Sequence, residues 1–259
     1  MPGTLPRSAL MVDREIIVCR DLVDLNEKGA TLFVDLATRA IAASGCFSVG
    51  LSGGSTPESL YTVLGSADYR ERVAWKQVHW FWGDERCVPP DHPQSNYRMV
   101  REALLARVDR IPAENVHRMA GEKAPQVAAE QYEQELRTFF KIGSGALPRF
   151  DLIFLGMGED GHTASLFPGS KLLDDNKHLV ATEYVDKLAA HRLTLTLPVL
   201  NQSAQVIFLV AGKSKAPIVA EVLGATARSP SLPAARIRPV NGRLTWLVTE
   251  EALGRREPR

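Results

Sequence analysis

Cysteine is scarce in this sequence, and the three cysteines, Cys19, Cys46 and Cys87, form no C-x-x-C pair. An odd number of widely spaced cysteines argues against both a disulfide framework and a zinc site. The chain also lacks an excess of charge, since 31 lysines and arginines are balanced by 30 acidic residues. Binding to nucleic acid or to an anionic membrane is therefore not expected, and any anion site must be local.

Long apolar runs are also missing from the start of the chain. Residues 1–12 contain Arg7 and one short apolar stretch from Ala9, far shorter than a signal-peptide core or a membrane span. We therefore expect a cytoplasmic protein with no membrane partner. Residues 1–12 and 255–259 are rich in Pro, Gly and Arg and lack periodicity, so both ends are expected to fray.

The remaining composition is that of an ordinary globular protein, with 45% hydrophobic and 24% charged residues in a chain of 259. A chain of this length can form one large α/β domain. We expect residues 13–254 to form a single catalytic domain, as a monomer or a small homo-oligomer.

Apolar patterns of strand type alternate with patterns of helix type along the chain. Strands are predicted at residues 15–20, 46–51, 78–82, 150–155, 192–197, 205–210 and 244–249. Helices are predicted at residues 22–41, 126–140 and 213–223, after Pro57, and after a cap at Ser95. This alternation predicts a mostly parallel, Rossmann-like sheet with helices on both faces. Ligands of such sheets bind at the carboxyl ends of the strands.

A glycine turn, Ser52-Gly53-Gly54-Ser55-Thr56-Pro57, joins a predicted strand to a predicted helix. Backbone N–H groups can close around a phosphate at such a helix start. The alternative is a tight turn with a Ser or Thr cap. The lysine of a nucleotide-binding P-loop is missing, so a nucleoside triphosphate is not expected.

A charged turn, Gly83-Asp84-Glu85-Arg86, follows the aromatic strand that ends at Trp82. The guanidinium of Arg86 could bind two phosphate oxygens at once. Alternatively, the two acidic residues could pair with nearby bases on a solvated loop. A metal site would have to use Asp84, Glu85, Asp91 and His92, which show no recognisable ligand spacing.

A third turn follows Leu155 and matches G-x-G-x-x-G over residues 156–161. Pro168 and Gly169 come too soon for the long helix of a dinucleotide-binding unit. The turn instead presents Asp160 and His162, a carboxylate beside a base that titrates near neutrality. This pair suits the activation of water, whereas three other histidines are expected to be structural or merely exposed: His79, His117 and His178.

Five stretches in the same order resemble the 6-phosphogluconolactonases of the oxidative pentose phosphate pathway. Three of them contain the turns described above: SGGSTP at Ser52, WGDERCVPPDHPQSNYRM at Trp82 and FDLIFLGMGEDGHTASLFPG at Phe150. RLTLTLPVL at Arg192 and AGKSKA at Ala211 extend the resemblance over most of the chain. It implies a fold shared with glucosamine-6-phosphate deaminases and, more distantly, with ribose-5-phosphate isomerases.

The resemblance also implies a substrate, 6-phospho-D-glucono-1,5-lactone, hydrolysed without a metal or other cofactor, with His162 as the general base. It implies a phosphate end lined by Gly53, Gly54, Ser55, Thr56 and Arg86, positive charge from Arg192 and Lys213, and a pocket wall that includes Asn96 and Asp160. Relatives often carry prolines just before the arginine, whereas residues 189–191 read Ala-Ala-His here. His191 is therefore either a loop histidine or a further contact to the substrate.

Two other functions compete with lactone hydrolysis. Amino-sugar-phosphate isomerases of the same fold usually read I-A-F-N-E-P after the histidine, but residues 163–168 read TASLFP and lack the Asn-Glu pair. A non-catalytic sugar-phosphate sensor would retain the pocket without the chemistry. The Asp160–His162 pair and the lack of a DNA-reading motif argue against a sensor.

Overall fold

The structure is a computed structural model that describes residues 14–224 and 231–255. Residues 1–12 and 255–259 were expected to fray. All of them except Arg255 lie outside this part of the chain. Arg255, which was included in the fraying end, donates its backbone N–H to the Glu250 carbonyl at 3.0 Å. None of the helices in the described part is long and apolar enough to cross a membrane.

Strands and helices alternate through most of the described chain. The strands are β1 (Arg14–Cys19), β2 (Phe47–Leu51), β3 (Val78–Trp82), β4 (Asp84–Arg86), β5 (Val116–His117), β6 (Leu152–Leu155), β7 (Val180–Val185), β8 (Ala190–Leu195), β9 (Gln205–Val210) and β10 (Arg243–Thr249). The α-helices are α1 (Leu22–Ser44), α2 (Ser55–Leu64), α3 (Ala67–Arg70), α4 (Asn96–Ala103), α5 (Pro125–Phe140), α6 (Leu197–Gln202) and α7 (Ala216–Leu223).

Seven strands form one parallel sheet in the order β1-β10-β9-β6-β2-β3-β5. Every residue of the inner strands β2, β6 and β9 is buried, as expected for parallel strands that helices cover on both faces. The predicted α/β class is confirmed. All these strands point the same way, so their carboxyl ends meet along one edge.

A second sheet of three antiparallel strands, in the order β4-β8-β7, was not predicted. The strand predicted at residues 192–197 is present as β8, but it belongs to this small sheet. Its partners gave little signal, because β4 has only three residues and β7 mixes buried with exposed positions. The helix predicted from Lys213 begins as a single 3-10 turn, Lys213–Lys215, and becomes α-helical only at Ala216.

Local sequence signals explain where the main helices begin and end. The Asp21 side chain accepts a hydrogen bond from the N–H of Asp24 at the start of α1, and Gly45 ends that helix with φ of 82°. This left-handed conformation favours glycine. Ser95 caps α4 as predicted, since its side chain accepts from the N–H of Arg98.

Two buried tyrosines fix the carboxyl ends of neighbouring strands. The Tyr61 hydroxyl accepts from the N–H of Ser52 at 3.0 Å and lies 3.1 Å from the carbonyl of the same residue. The Tyr132 hydroxyl contacts the N–H of Trp82 at 2.9 Å in the same way. Both strand ends lead directly into the predicted functional turns, so the tyrosines hold those turns in place.

Tyr61→Phe is expected to lower the free energy of unfolding by about 1–3 kcal/mol, because it leaves a buried N–H without its partner. Urea titration of wild type and variant measures the difference. Tyr69→Phe is the matched control, since the Tyr69 ring is buried and its hydroxyl forms no hydrogen bond in the described part of the chain. Equal effects of the two substitutions would contradict the role assigned to the Tyr61 hydroxyl.

Two histidines form a structural cluster beside α5, as expected for His79 and His117. Nδ1 of His79 lies 3.1 Å from Nε2 of His117, whose Nδ1 lies 2.7 Å from Oε1 of Glu135. Phe81 stacks on His117 with 4.2 Å between ring centroids. Burial, and secondarily the neighbouring His117, lowers the pKa of His79 below its ordinary value of 6.5.

This cluster predicts that stability falls as the pH is lowered from neutrality. The folded protein resists protonation of His79, whereas the unfolded chain takes up that proton near its ordinary pKa, so acid favours unfolding below about pH 6.5. His79→Gln should reduce the loss of unfolding free energy between about pH 7 and pH 5. Urea titrations of wild type and variant at several pH values measure this loss of unfolding free energy. If the pH dependence were the same in both proteins, the role assigned to His79 would be contradicted.

Candidate active site

The carboxyl ends of β2, β6 and β9 open onto one cavity of about 410 Å³. Seven of the predicted site residues line it: Gly53, Gly54, Ser55, Thr56, Arg86, His162 and Arg192. Asn96, Asp160 and Lys213 are not part of its lining. The sequence-based expectation that the turns after Leu51, Trp82 and Leu155 meet at one site is therefore met.

His162 is held at the cavity by the carboxylate of Asp160. Nδ1 of His162 lies 2.5 Å from Oδ1 of Asp160, and the same oxygen accepts the His162 backbone N–H at 3.1 Å. The ring also packs against Phe167, with 4.6 Å between centroids. Because the carboxylate engages Nδ1, Nε2 is the ring nitrogen left to face a ligand. Asp160 thus lies behind the histidine, where it orients the ring.

Glycine is required at two positions of this histidine turn. A Cβ atom at Gly158 would collide with the imidazole of His162, so the ring can fold over the backbone only where a side chain is missing. Gly161 has φ of 81°, in the left-handed region that favours glycine. Residues 156–170 contain no helix. This agrees with the prediction that the turn is not part of a dinucleotide-binding unit, which would need a long helix here.

The glycine turn after β2 places the first turn of α2 at the cavity. Gly54 has φ of 104° and directly precedes Ser55, the first residue of the helix. The unpaired N–H groups at a helix start favour an anion. The Asn96 side chain packs against Gly53 so closely that a Cβ at Gly53 would collide with it. Nδ2 of Asn96 also donates to the Asp84 carbonyl at 2.9 Å, so Asn96 contacts both the glycine turn and the charged turn.

Arg86 and Arg192 stand opposite each other on the antiparallel strands β4 and β8. Like charges at directly opposed positions repel, so a bound anion between them would be stabilising. Burial, and then the nearby Arg86, lowers the pKa of Arg192. Nη1 of Arg86 donates to the Gln94 carbonyl at 2.6 Å, which leaves the rest of its guanidinium available. The pair gives the cavity a strongly cationic wall.

The two acidic residues of the charged turn are buried rather than solvated, so the solvated-loop interpretation is wrong. Glu85 accepts from the N–H groups of Asn96 and Tyr97 at 2.7 and 2.8 Å, which fixes the start of α4. Burial raises the pKa of Glu85. Oδ2 of Asp84 accepts from the Ser165 hydroxyl at 2.8 Å. These bonds hold the start of α4 and the Ser165 side chain in place beside the cavity.

The cavity lining includes residues that were not among the predicted site residues, Lys215, Lys187 and Ser52 among them. Lys215 lines the cavity where Lys213 was expected, because the 3-10 turn after Gly212 changes which lysine faces the site. Lys187 lies on the turn between β7 and β8, whose hairpin was not predicted. Ser52 lines the cavity with a buried hydroxyl that has no partner among the described residues. His191, left open above, is exposed and packs edge-on against Tyr184 outside the lining.

The chain is similar to known proteins over most of its length. Residues 20–246 match the family described as glucosamine-6-phosphate isomerases/6-phosphogluconolactonase. A 6-phosphogluconolactonase of Synechocystis is 41% identical over 248 residues, covering 95% of this chain and 97% of the relative. The structure of a 6-phosphogluconolactonase from Thermotoga maritima superposes with a TM-score of 0.76 at 32% identity, over 92% of this chain and all of that one.

A monomeric glucosamine-6-phosphate deaminase superposes with a TM-score of 0.78 at 20% identity, over 93% of this chain and 100% of that one. At this identity the likeness concerns the fold alone. The family model matches most of the chain, and curated relatives are about 40% identical over more than nine tenths of it. This chain belongs to the family of glucosamine-6-phosphate isomerases and 6-phosphogluconolactonases.

Proposed function

We propose that this protein hydrolyses 6-phospho-D-glucono-1,5-lactone to 6-phosphogluconate, the second step of the oxidative pentose phosphate pathway. The observation that carries the proposal is the placement of His162, paired with Asp160, in the same cavity as Arg86 and Arg192. The cavity thus offers both a base and an anion site. The curated relatives at about 40% identity are named for this activity.

The phosphate of the substrate would bind between the glycine turn and the opposed arginines. Each charge-assisted hydrogen bond contributes roughly 1.5–3 kcal/mol net. The two guanidiniums, the amides of residues 53–56 and the ammonium of Lys215 provide enough such bonds to hold the substrate at one end. Lys213 stays a predicted contributor of positive charge from outside the cavity lining.

The reaction proceeds by attack of water on the lactone carbonyl. Nε2 of His162 removes a proton from water while the water oxygen bonds to C1, and the resulting tetrahedral intermediate expels the ring oxygen. The protonated His162 can return that proton to the departing ring oxygen, so water is divided between the new carboxyl group and the new hydroxyl and the base is regenerated. A positioned general base supplies about 10²–10⁴-fold. Such a gain suffices for a lactone, an activated ester, and neither a metal nor another cofactor is part of the proposal.

The deaminase alternative lacks side chains for its proton transfers. Where those enzymes carry Asn and Glu, this chain has Leu166 and Phe167, both buried. Phe167 instead packs against the His162 ring. Neither side chain can accept or donate a proton, so isomerisation of an amino sugar is disfavoured. A sensor without turnover is disfavoured by the oriented imidazole itself.

The test is to generate the lactone in situ from glucose 6-phosphate with a dehydrogenase and to follow its decay. We expect decay well above the spontaneous rate with the enzyme present, and no release of ammonia from glucosamine 6-phosphate. Ammonia release would support the deaminase, and binding without turnover would support the sensor. A single domain over residues 13–254, a cytoplasmic location and a monomeric or small homo-oligomeric state remain parts of the proposal.

A further inference from the structure

Lys187 is a cation of the cavity that the mechanism above does not use. It lies in the 3-10 turn Asp186–Leu188, which joins β7 to β8. Its Nζ donates to Oδ2 of Asp160 and lies 4.5 Å from the centroid of the Phe167 ring. Lys187 also lines the cavity. Its two contacts are therefore the same two side chains that contact His162.

The carboxylate of Asp160 is divided between two partners. Oδ1 contacts Nδ1 of His162, and Oδ2 accepts from Lys187. Partial burial raises the pKa of Asp160, but the hydrogen bonds from Lys187 and His162 outweigh it and hold the pKa well below its ordinary value. Lys187 thus restricts the rotation of this carboxylate and, together with His162, keeps it charged.

Phe167 completes the arrangement. The centroid of the Phe167 ring lies 4.6 Å from the centroid of the His162 imidazole and 4.5 Å from Nζ of Lys187. A cation over an aromatic face is attracted by the ring quadrupole. The ammonium is thereby held between the ring and the carboxylate, in a geometry that a freely moving surface lysine would not keep.

We propose that Lys187 is a positioning residue for the proposed lactonase reaction, which fixes the Asp160 carboxylate so that His162 keeps Nε2 toward the substrate. The inference rests on the proposed function. It makes the β7–β8 hairpin part of the active site at two points, because β8 also carries Arg192 of the phosphate end. The hairpin therefore connects the orientation of the base with the binding of the phosphate.

Lys187→Met removes the charge and the hydrogen bond while keeping much of the aliphatic volume. We expect kcat to fall by about 10–10²-fold, since small misplacements of a catalytic group cost up to that much, and KM to change little. A direct contact of Lys187 with the substrate phosphate would instead raise KM. Lys187→Arg should recover part of kcat, and Lys177→Met, on an exposed lysine, is the matched control.

The pH profile separates positioning from a merely structural role. Without the Lys187 cation, the protonated imidazole interacts with the Asp160 carboxylate unopposed, so the acid limb of kcat/KM should move to higher pH. The other charged groups that line the cavity are the same in wild type and variant: Asp84, Arg86, Arg192 and Lys215. A shift of the acid limb is therefore due to Lys187 alone.

A spectroscopic readout keeps this inference independent of the assay. The Nδ1 proton of His162, bonded to Asp160, should give a downfield proton resonance, assigned by its loss in His162→Gln. In Lys187→Met we expect this resonance to weaken through faster exchange with water. An unchanged resonance with unchanged kcat and pH profile, or an effect on KM alone, would overturn the inference. Failure of wild type to hydrolyse the lactone would overturn the proposed function instead, and the resonance would still test the positioning.

Discussion

Replacing His162 with alanine is expected to lower kcat by about 10²–10⁴-fold, the usual contribution of a positioned general base. KM should stay within a few-fold of wild type, because the imidazole is not part of the phosphate end. Steady-state kinetics on the lactone generated in situ, corrected for spontaneous hydrolysis, measure both parameters. The residual rate above background then reports what binding alone contributes.

His178→Ala is the matched control for this variant. The His178 imidazole also pairs with a carboxylate, since its Nδ1 lies 2.9 Å from Oδ2 of Asp175, but it lies outside the cavity lining. Its loss should leave kcat unchanged. Near-normal turnover of His162→Ala would refute the assignment of the base, whatever the effect on substrate affinity.

Arg86→Ala is expected to raise KM by about 10–150-fold, the equivalent of one lost charge-assisted interaction of roughly 1.5–3 kcal/mol. The change in kcat should be small, because binding that is equal in the ground state and the transition state affects only KM. The variant also loses the hydrogen bond to the Gln94 carbonyl. A melting curve should therefore accompany the kinetics, which can then be restricted to temperatures where the variant is folded.

Arg98→Ala serves as the control for Arg86. The Arg98 guanidinium also donates to a loop carbonyl, that of Asp91 at 2.9 Å, but does not line the cavity. Its loss should leave KM unaltered. A fall in kcat at constant KM in the Arg86 variant would place Arg86 at the reacting end and would contradict the assigned orientation of the substrate.

Six of the seven strands of the main sheet, all except β5, could be predicted because their signals are local. Strands such as Phe47–Leu51 and Gln205–Val210 are short, mostly apolar segments, and Ser95 and Gly45 mark helix ends by their own chemistry. The small antiparallel sheet could not be predicted in the same way. Its order depends on Asp84–Arg86 pairing with a strand more than a hundred residues later, and three residues carry no periodicity.

The site was predicted where glycine turns and charged side chains follow strong strands, as at Gly53, Arg86 and His162. It was missed where a side chain reaches the cavity through a contact distant in sequence. Lys187 is such a case, because its partner Asp160 lies on another loop. Lys215 was missed for a different reason: a 3-10 turn instead of an α-helix after Gly212 changes which lysine faces inward. Spacing alone does not distinguish these two kinds of turn.

A crystal structure with 6-phosphogluconate bound is the most direct test of the central claim, that a base and an anion site face each other across one cavity. We predict the phosphate within hydrogen-bonding distance of the amides of residues 53–56 and of the Arg86 and Arg192 guanidiniums, with the C1 carboxylate beside Nε2 of His162. A product bound in the reverse orientation, or outside this cavity, would contradict the account.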